Sequence, residues 1–320
     1  MPVIRTTLLS GPAAATFNDH TFFARDGILV TPALEIDAVD SDAQGVLDAT
    51  ATFAPVMIKF APSAPFSDLI ALYPYTMGTP GMSLFGSTDS PLVLVAANGV
   101  RLTFSAAAIV QMPDLSLGAS GSAAGAVTFV ALGARSLPIT AANRLVTIDT
   151  AEFPALPTTP PQLADDFEIT WGAGGTGSGA PWLNLRARDG VKVHFAMKTR
   201  PVISAANALL DMTLDSLAVE VRFVPGTPGG PAESDVFEAL QAQGADSLPG
   251  RLLSAEARTL DVAGEHLWLQ LPLAQLTQGP LTFDAVHSRV GELVFTAGRA
   301  LLGAEAEPEV LVSLSEGEPI

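Results

Sequence analysis

The sequence predicts a mainly β chain made of two tandem domains, each carrying one short helix. Three observations lead there. Arg25-Asp26-Gly27 opens an extended stretch that ends in Lys59-Phe60-Ala61-Pro62, and Arg188-Asp189-Gly190 opens another that ends in Arg222-Phe223-Val224-Pro225, at the same interval. Most other ordered segments are short apolar runs of period close to two, bounded by Gly, Pro, Asn or Asp, as half-buried strands require. One short helical pattern falls at the same place after each ending. A repeat of this length governs how every later segment is read.

Further matches keep the copies in step. Asn98-Gly99-Val100-Arg101-Leu102-Thr103-Phe104 answers Ala263-Gly264-Glu265-His266-Leu267-Trp268-Leu269. Leu115-Ser116-Leu117 answers Leu281-Thr282-Phe283, and Gly125-Ala126-Val127-Thr128-Phe129 answers Gly291-Glu292-Leu293-Val294-Phe295. The expected boundaries are 1–155 for the first domain, 156–163 for a Pro-rich linker and 164–320 for the second. Four prolines crowd between Phe153 and Pro161, where they stiffen the chain and block strand pairing.

In chain order, strands are expected at Gly27 to Ile36 and at Ala51 to Phe60, the latter with Phe53, Val56, Ile58 and Phe60 on the buried face. Others follow at Leu92 to Ala96, Val100 to Phe104, Ala126 to Leu132 and Arg144 to Ile148. The second copy repeats them at Lys192 to Lys198, Ala218 to Val224, Ser254 to Val262, Glu265 to Leu271 and Glu292 to Thr296, with Glu309 to Leu314 as a last strand. The helices are expected to start at Ser67-Asp68 and Ser234-Asp235, where a capping residue and an early acid precede apolar positions. Ala38 to Asp48 is polar, lies between two strand patterns and reads as a long loop.

The chain has 320 residues, 48% of them apolar, and that length accommodates two ordinary cores. No window of about 18 residues is free of polar groups and breakers, so no membrane span is expected. Met1 to Ala15 has one Arg and an apolar run broken by Gly11-Pro12, and is expected to belong to the fold and not to a secretory leader. There is no cysteine, which excludes disulfides and thiolate metal sites and fits a reducing cytoplasm. The net charge is −17, with acids in excess in both halves. Such a chain repels the nucleic-acid backbone, because binding phosphate requires Lys and Arg to replace counterions.

Motifs for chemistry fail one after another. Gly172, Gly174 and Gly177 satisfy G-x-G-x-x-G after the strand-like run Phe167 to Trp171. The extended Pro181-Trp182-Leu183-Asn184-Leu185 follows where a dinucleotide site needs a helix. Asp40, Asp42, Gln44 and Gly45 resemble the start of a calcium loop, but its twelfth position, which needs Glu, is Ala51. His20, His194, His266 and His287 have no metal-binding spacing, and no G-x-S-x-G elbow occurs. Trp171, Trp182 and Trp268 suit core or interface packing better than a sugar platform. No catalytic residue, cofactor or metal site is expected.

The first copy resembles the tail tube (major tail) proteins of long-tailed bacteriophages. The resembling residues run in order: Leu9-Ser10-Gly11-Pro12-Ala13, Thr16-Phe17-Asn18, a first strand from Phe23 to Val30, and Gly45-Val46-Leu47-Asp48. Lys59-Phe60-Ala61-Pro62, Leu72-Tyr73-Pro74-Tyr75, Leu84-Phe85-Gly86, Asp89-Ser90-Pro91-Leu92 and Asn98-Gly99 continue it, and Ala106 to Val110 leads into Met112-Pro113-Asp114-Leu115. The resemblance covers about the first 135 residues and reaches the second half through the repeat.

The resemblance implies two tail-tube-like β-sandwich/barrel domains, each of two packed antiparallel sheets with a flanking helix. It implies rings of sixfold character that stack into a tube carrying viral DNA without specific binding. Two domains per chain then imply a homotrimeric, pseudo-hexameric ring in the virion tail, assembled in the bacterial cytoplasm. The implied partners are further copies of the chain and the tape measure, terminator and distal tail proteins. The acidic loop of Asp37, Asp40 and Asp42 is the candidate site, facing the lumen or the next ring. The alternatives are a tail terminator or baseplate ring of related fold, and a secreted β-sandwich module that binds glycans through Trp182.

Overall fold

The computed structural model describes residues 12–41, 45–76, 78–85, 91–118, 123–132, 146–156, 167–173, 183–203, 209–226, 258–264, 267–279, 281–283, 288–297 and 312–315. These residues are mainly β, in antiparallel sheets. The strands before residue 160 are β1 (Ala13–Phe17), β2 (His20–Ala24), β3 (Leu29–Ser41), β4 (Gly45–Phe60), β5 (Pro62–Ser63), β6 (Leu92–Ala96), β7 (Val100–Phe104), β8 (Ala107–Gln111), β9 (Leu115–Leu117), β10 (Ala123–Ala124), β11 (Val127–Ala131) and β12 (Val146–Thr150). After it come β13 (Glu168–Ala173), β14 (Leu183–Ile203), β15 (Leu209–Pro225), β16 (Arg258–Ala263), β17 (Trp268–Leu271), β18 (Ala274–Gln278), β19 (Leu281–Phe283), β20 (Ser288–Val290), β21 (Leu293–Ala297) and β22 (Ser313–Ser315).

One pairing scheme occurs on both sides. The first half has a sheet ordered β12-β7-β6-β1-β2-β5 and a second ordered β3-β4-β11-β8. In the second half β22-β17-β16-β13 runs on into the start of β14, and the rest of β14 continues into β15-β21-β18. β14 thus does in one strand what β2 and β3 do in two, with its register jump between Ala187 and Val191, across Arg188-Asp189-Gly190. The closing contact repeats too, since Ala24 opposes Pro62 and Ala187 opposes Pro225. Even an irregularity recurs. The ladder skips a residue between Phe129↔Ile109 and Thr128↔Gln111, and again between Phe295↔Leu276 and Val294↔Gln278.

The cores repeat with the sheets. The Phe129 ring meets Phe17 edge-on at 5.0 Å and stacks on Phe60 at 6.0 Å, while Phe295 meets Trp171 edge-on at 5.2 Å and stacks on Phe223 at 5.8 Å. Each such ring pair adds about 0.5–1.5 kcal/mol to the burial of its area. The buried residues nevertheless form one continuous cluster running through both halves.

Local chemistry explains the elements. Asn18 and Asp19 hold φ of 49° and 65°, the two left-handed positions that a tight turn between β1 and β2 requires. In β14, Val191, Val193 and Phe195 are buried and Lys192, His194 and Ala196 are exposed, a clean period of two. The expected strands at Leu92–Ala96 and Val100–Phe104 have the bounds read from the sequence. In the expected buried face of β4, Ile58 and Phe60 are buried and Val56 packs against the core. The placement of Phe53's side chain lies outside the described residues.

Several expectations need correction. Ala38 to Asp48 is not an open loop: Ala38–Ser41 and Gly45–Asp48 are strand, paired Ala38↔Ala49, Val39↔Asp48, Asp40↔Val46 and Ser41↔Gly45. Backbone pairing across a short connection satisfies these polar residues' peptide groups better than an unpaired loop would. Phe23 to Val30 is not one strand; it breaks between Ala24 and Leu29, where Gly27 turns at φ +84°. The helix is a single turn, Phe66–Leu69, continued by a 3₁₀ turn, Ile70–Leu72. Its N-cap is Pro65, without a side-chain cap, so Ser67 lies inside. The expected second helix and the Pro-rich linker from Pro157 onward lie outside the described residues.

Candidate assembly surface

The halves meet where β9 adds to the edge of β14, antiparallel, with Leu115 opposite Val193, Ser116 opposite Lys192 and Leu117 opposite Val191. Strand addition of this kind joins sheets through backbone groups, so it asks for matching edges more than for particular side chains. Gly190, at φ +94°, makes the approach feasible: a Cβ there would stand 2.0 Å from the Leu117 carbonyl oxygen and 2.6 Å from the Gly118 Cα.

Side chains seal the joint. The Gln111 Nε2 donates to the Phe195 carbonyl at 2.6 Å, and the Phe195 N–H donates to Asp114 Oδ1 at 3.1 Å. Asp114 also lies 2.9 Å from His194 Nδ1. The Tyr73 ring packs on Phe195 at 5.0 Å between centroids. Residues 79–85 clasp the other strand of the hairpin: the Gly81 N–H donates to the Leu214 carbonyl at 2.7 Å and the Leu84 N–H to that of Met212 at 2.8 Å.

The Tyr73 hydroxyl is buried without a hydrogen-bond partner among the described residues. Burial, with Asp114 nearby, holds its ionisation well above the ordinary phenol range, so the group stays neutral. A buried polar group without a partner costs about 1–3 kcal/mol. Tyr73→Phe keeps the ring and removes that cost, so the urea unfolding midpoint should rise, by about 1 kcal/mol in stability. An unchanged or lowered midpoint would mean that the hydroxyl has a role at the joint.

The corresponding edge in the first half is open. Among the described residues β3 pairs with β4 alone and ends its sheet. Gly27 occupies the same motif as Gly190 with nearly the same φ, +84°, yet a Cβ there meets nothing within 4 Å among the described residues. Leu29 is 61% exposed, at the position held in β14 by Lys192. A groove of roughly 430 Å³ runs beside this edge, lined by Asp26, Gly27, Ile28, Leu29, Lys59 and Phe60 among others.

The acidic candidates lie farther along the same hairpin. Asp37 opposes Thr50 and Asp40 opposes Val46, while Asp42 lies outside the described residues. Beyond Val56 the hairpin has no third strand among the described residues, so it runs on as a two-stranded arm about 30 Å long. The second hairpin ends on Ile203 and Leu210, both more than half exposed. Nothing in the sequence distinguishes the open edge at Gly27 from the covered one. Its only signal there was the repeated Arg-Asp-Gly motif.

Trp171 is wholly buried in the core and Trp268 is half-buried, while Trp182 lies outside the described residues. Among the described residues there is no cluster of His, Asp and Glu fit to hold a metal ion, and no helix long and apolar enough to cross a membrane. The pairs Arg101–Asp149 and Arg222–Glu220 are at most half-buried, where such pairs add little stability. No protein-family model and no curated protein matches the chain.

Proposed function

We propose that the chain is a structural protein that closes into rings and stacks them into the tail tube of a long-tailed phage, three two-domain copies making a pseudo-sixfold ring. One observation carries this reading: a single pairing scheme recurs on both sides of residue 160, and its two occurrences are joined head to tail by strand addition. A head-to-tail contact leaves one complementary surface unused at each end. Repeated across copies, it gives a ring if the rotation closes and a filament if it does not.

Physical needs of a tube agree with the composition. Open sheet edges invite association, and burying them against neighbours removes the hazard. A net charge of −17 keeps a conduit from holding the phosphate backbone of passing DNA. The two-stranded arms, including Asp37 and Asp40, are suited to reach an adjacent ring, with exposed Ile203 and Leu210 as apolar contacts. The phage assignment itself rests on the resemblance of the first 135 or so residues.

Negative-stain microscopy of the purified chain should reveal rings or tubes whose true symmetry is threefold. Single closed rings that never stack would favour a terminator or baseplate role. A species that stays monomeric up to millimolar concentration would exclude both.

A further inference from the structure

The open edge of β3 has a complementary strand elsewhere in the same chain. β9 lies in the hairpin β9–β10, with Leu115 opposite Ala124 and Ser116 opposite Ala123. β19 holds the equivalent place in the hairpin β19–β20, with Leu281 opposite Val290 and Thr282 opposite Arg289. β9 continues onto β14, but β19 pairs with β20 alone among the described residues. Among the described residues the chain therefore presents a used pair, β9 with β14, and an unused pair, β19 with β3.

We infer that β19 of one copy adds to the β3 edge of a second copy, antiparallel, with Leu281 opposite Val30, Thr282 opposite Leu29 and Phe283 opposite Ile28. The register follows from the joint within the chain. Val191, Lys192 and Val193 follow Arg188-Asp189-Gly190 as Ile28, Leu29 and Val30 follow Arg25-Asp26-Gly27, and the former three oppose Leu117, Ser116 and Leu115.

Three features of the first half then acquire a reason. Gly27 keeps a left-handed backbone with open space, among the described residues, where Gly190 has a neighbouring chain segment against it. Leu29 is exposed on the edge. Val30 is only half-buried, whereas Val193, its counterpart, is 1% exposed beneath the first half. The inference rests on the ring reading and adds to it the edge, the direction and the register by which copies join.

The absence of cysteine makes the test direct. Residues directly opposite in an antiparallel pair have Cα atoms about 4.5–5.5 Å apart, within disulfide range. The full chain carrying Leu29→Cys and Thr282→Cys should oxidise to covalent multimers that end at a closed trimer on non-reducing gels. Ser116→Cys with Lys192→Cys should close within one chain and leave its mass unchanged. Leu29→Cys with Leu281→Cys should not link, because neighbouring residues point to opposite faces.

Gly27→Asn tests the same contact without cysteines, since Asn tolerates left-handed backbone. It should stay folded by circular dichroism and lose assembly. Normal assembly of that variant would overturn the contact at Gly27. Rings seen by microscopy without covalent linkage of the first pair would overturn the strand pairing and leave the ring reading intact. Single chains at every concentration, without linkage, would overturn both.

Discussion

Gly190→Ala should be among the most damaging single substitutions in the chain, at about 4 kcal/mol or more. The added Cβ would lie 2.0 Å from the Leu117 carbonyl oxygen, 2.6 Å from the Gly118 Cα and 2.9 Å from the Leu117 carbonyl carbon. All three are backbone atoms, so relief requires β9 to leave β14. That movement would also strain the bonds that Gln111 and Asp114 make to Phe195. The backbone at φ +94° adds strain that a non-Gly residue pays at about 1–2 kcal/mol. Gly27→Ala, measured on dilute single chains, should cost only that conformational part, because no described residue lies within 4 Å of its Cβ. Urea unfolding of both variants, with limited proteolysis to detect an opened joint, decides the matter. Equal costs at the two glycines would show that β9 does not sit on Gly190.

Phe129→Ala and Phe295→Ala should each cost about 3–5 kcal/mol, the range for emptying a buried aromatic site. Each ring is fully buried, stacked on one aromatic and met edge-on by another. Equivalent sites should give similar losses, and the two cavities should be similarly unable to collapse between rigid strands. Against a total stability of about 5–15 kcal/mol, either change removes a large share. Denaturant unfolding of both variants checks this. A loss below about 1 kcal/mol at one site and a full loss at the other would mean that the two cores are not built alike.

Much of the β architecture could be read from residues. Leu92–Ala96 and Val100–Phe104 flank Asn98-Gly99, and their period and turn chemistry mark both strands and their hairpin. Gly99 holds φ +82° there, and Asn98 Oδ1 accepts the Val100 N–H. Ala13–Phe17 carries no strand signal because three successive residues of it are buried, so no alternation shows. Ala274–Gln278 has its two exposed residues together at one end, and that also hides the period. The arm of β3 and β4 looked like a loop because its residues are polar and its partner strand is its own neighbour.

The candidate surface was legible only in part. The paired Arg-Asp-Gly motifs announced two equivalent places, and both glycines adopt left-handed backbone, as that residue type permits. Nothing in either motif says that one is covered and the other open. Charge alone marks Asp37 and Asp40 in the sequence, and their place on an arm depends on the pairing of β3 with β4, which their polar side chains do not announce.

The order of residues alone determined the β class and most of the strand positions, because burial period and turn chemistry act over a few neighbours. Which edges meet was decided by the tertiary structure. A backbone edge has the same hydrogen-bonding groups whatever its side chains, so only the packed chain distinguishes the sealed edge at Gly190 from the bare one at Gly27.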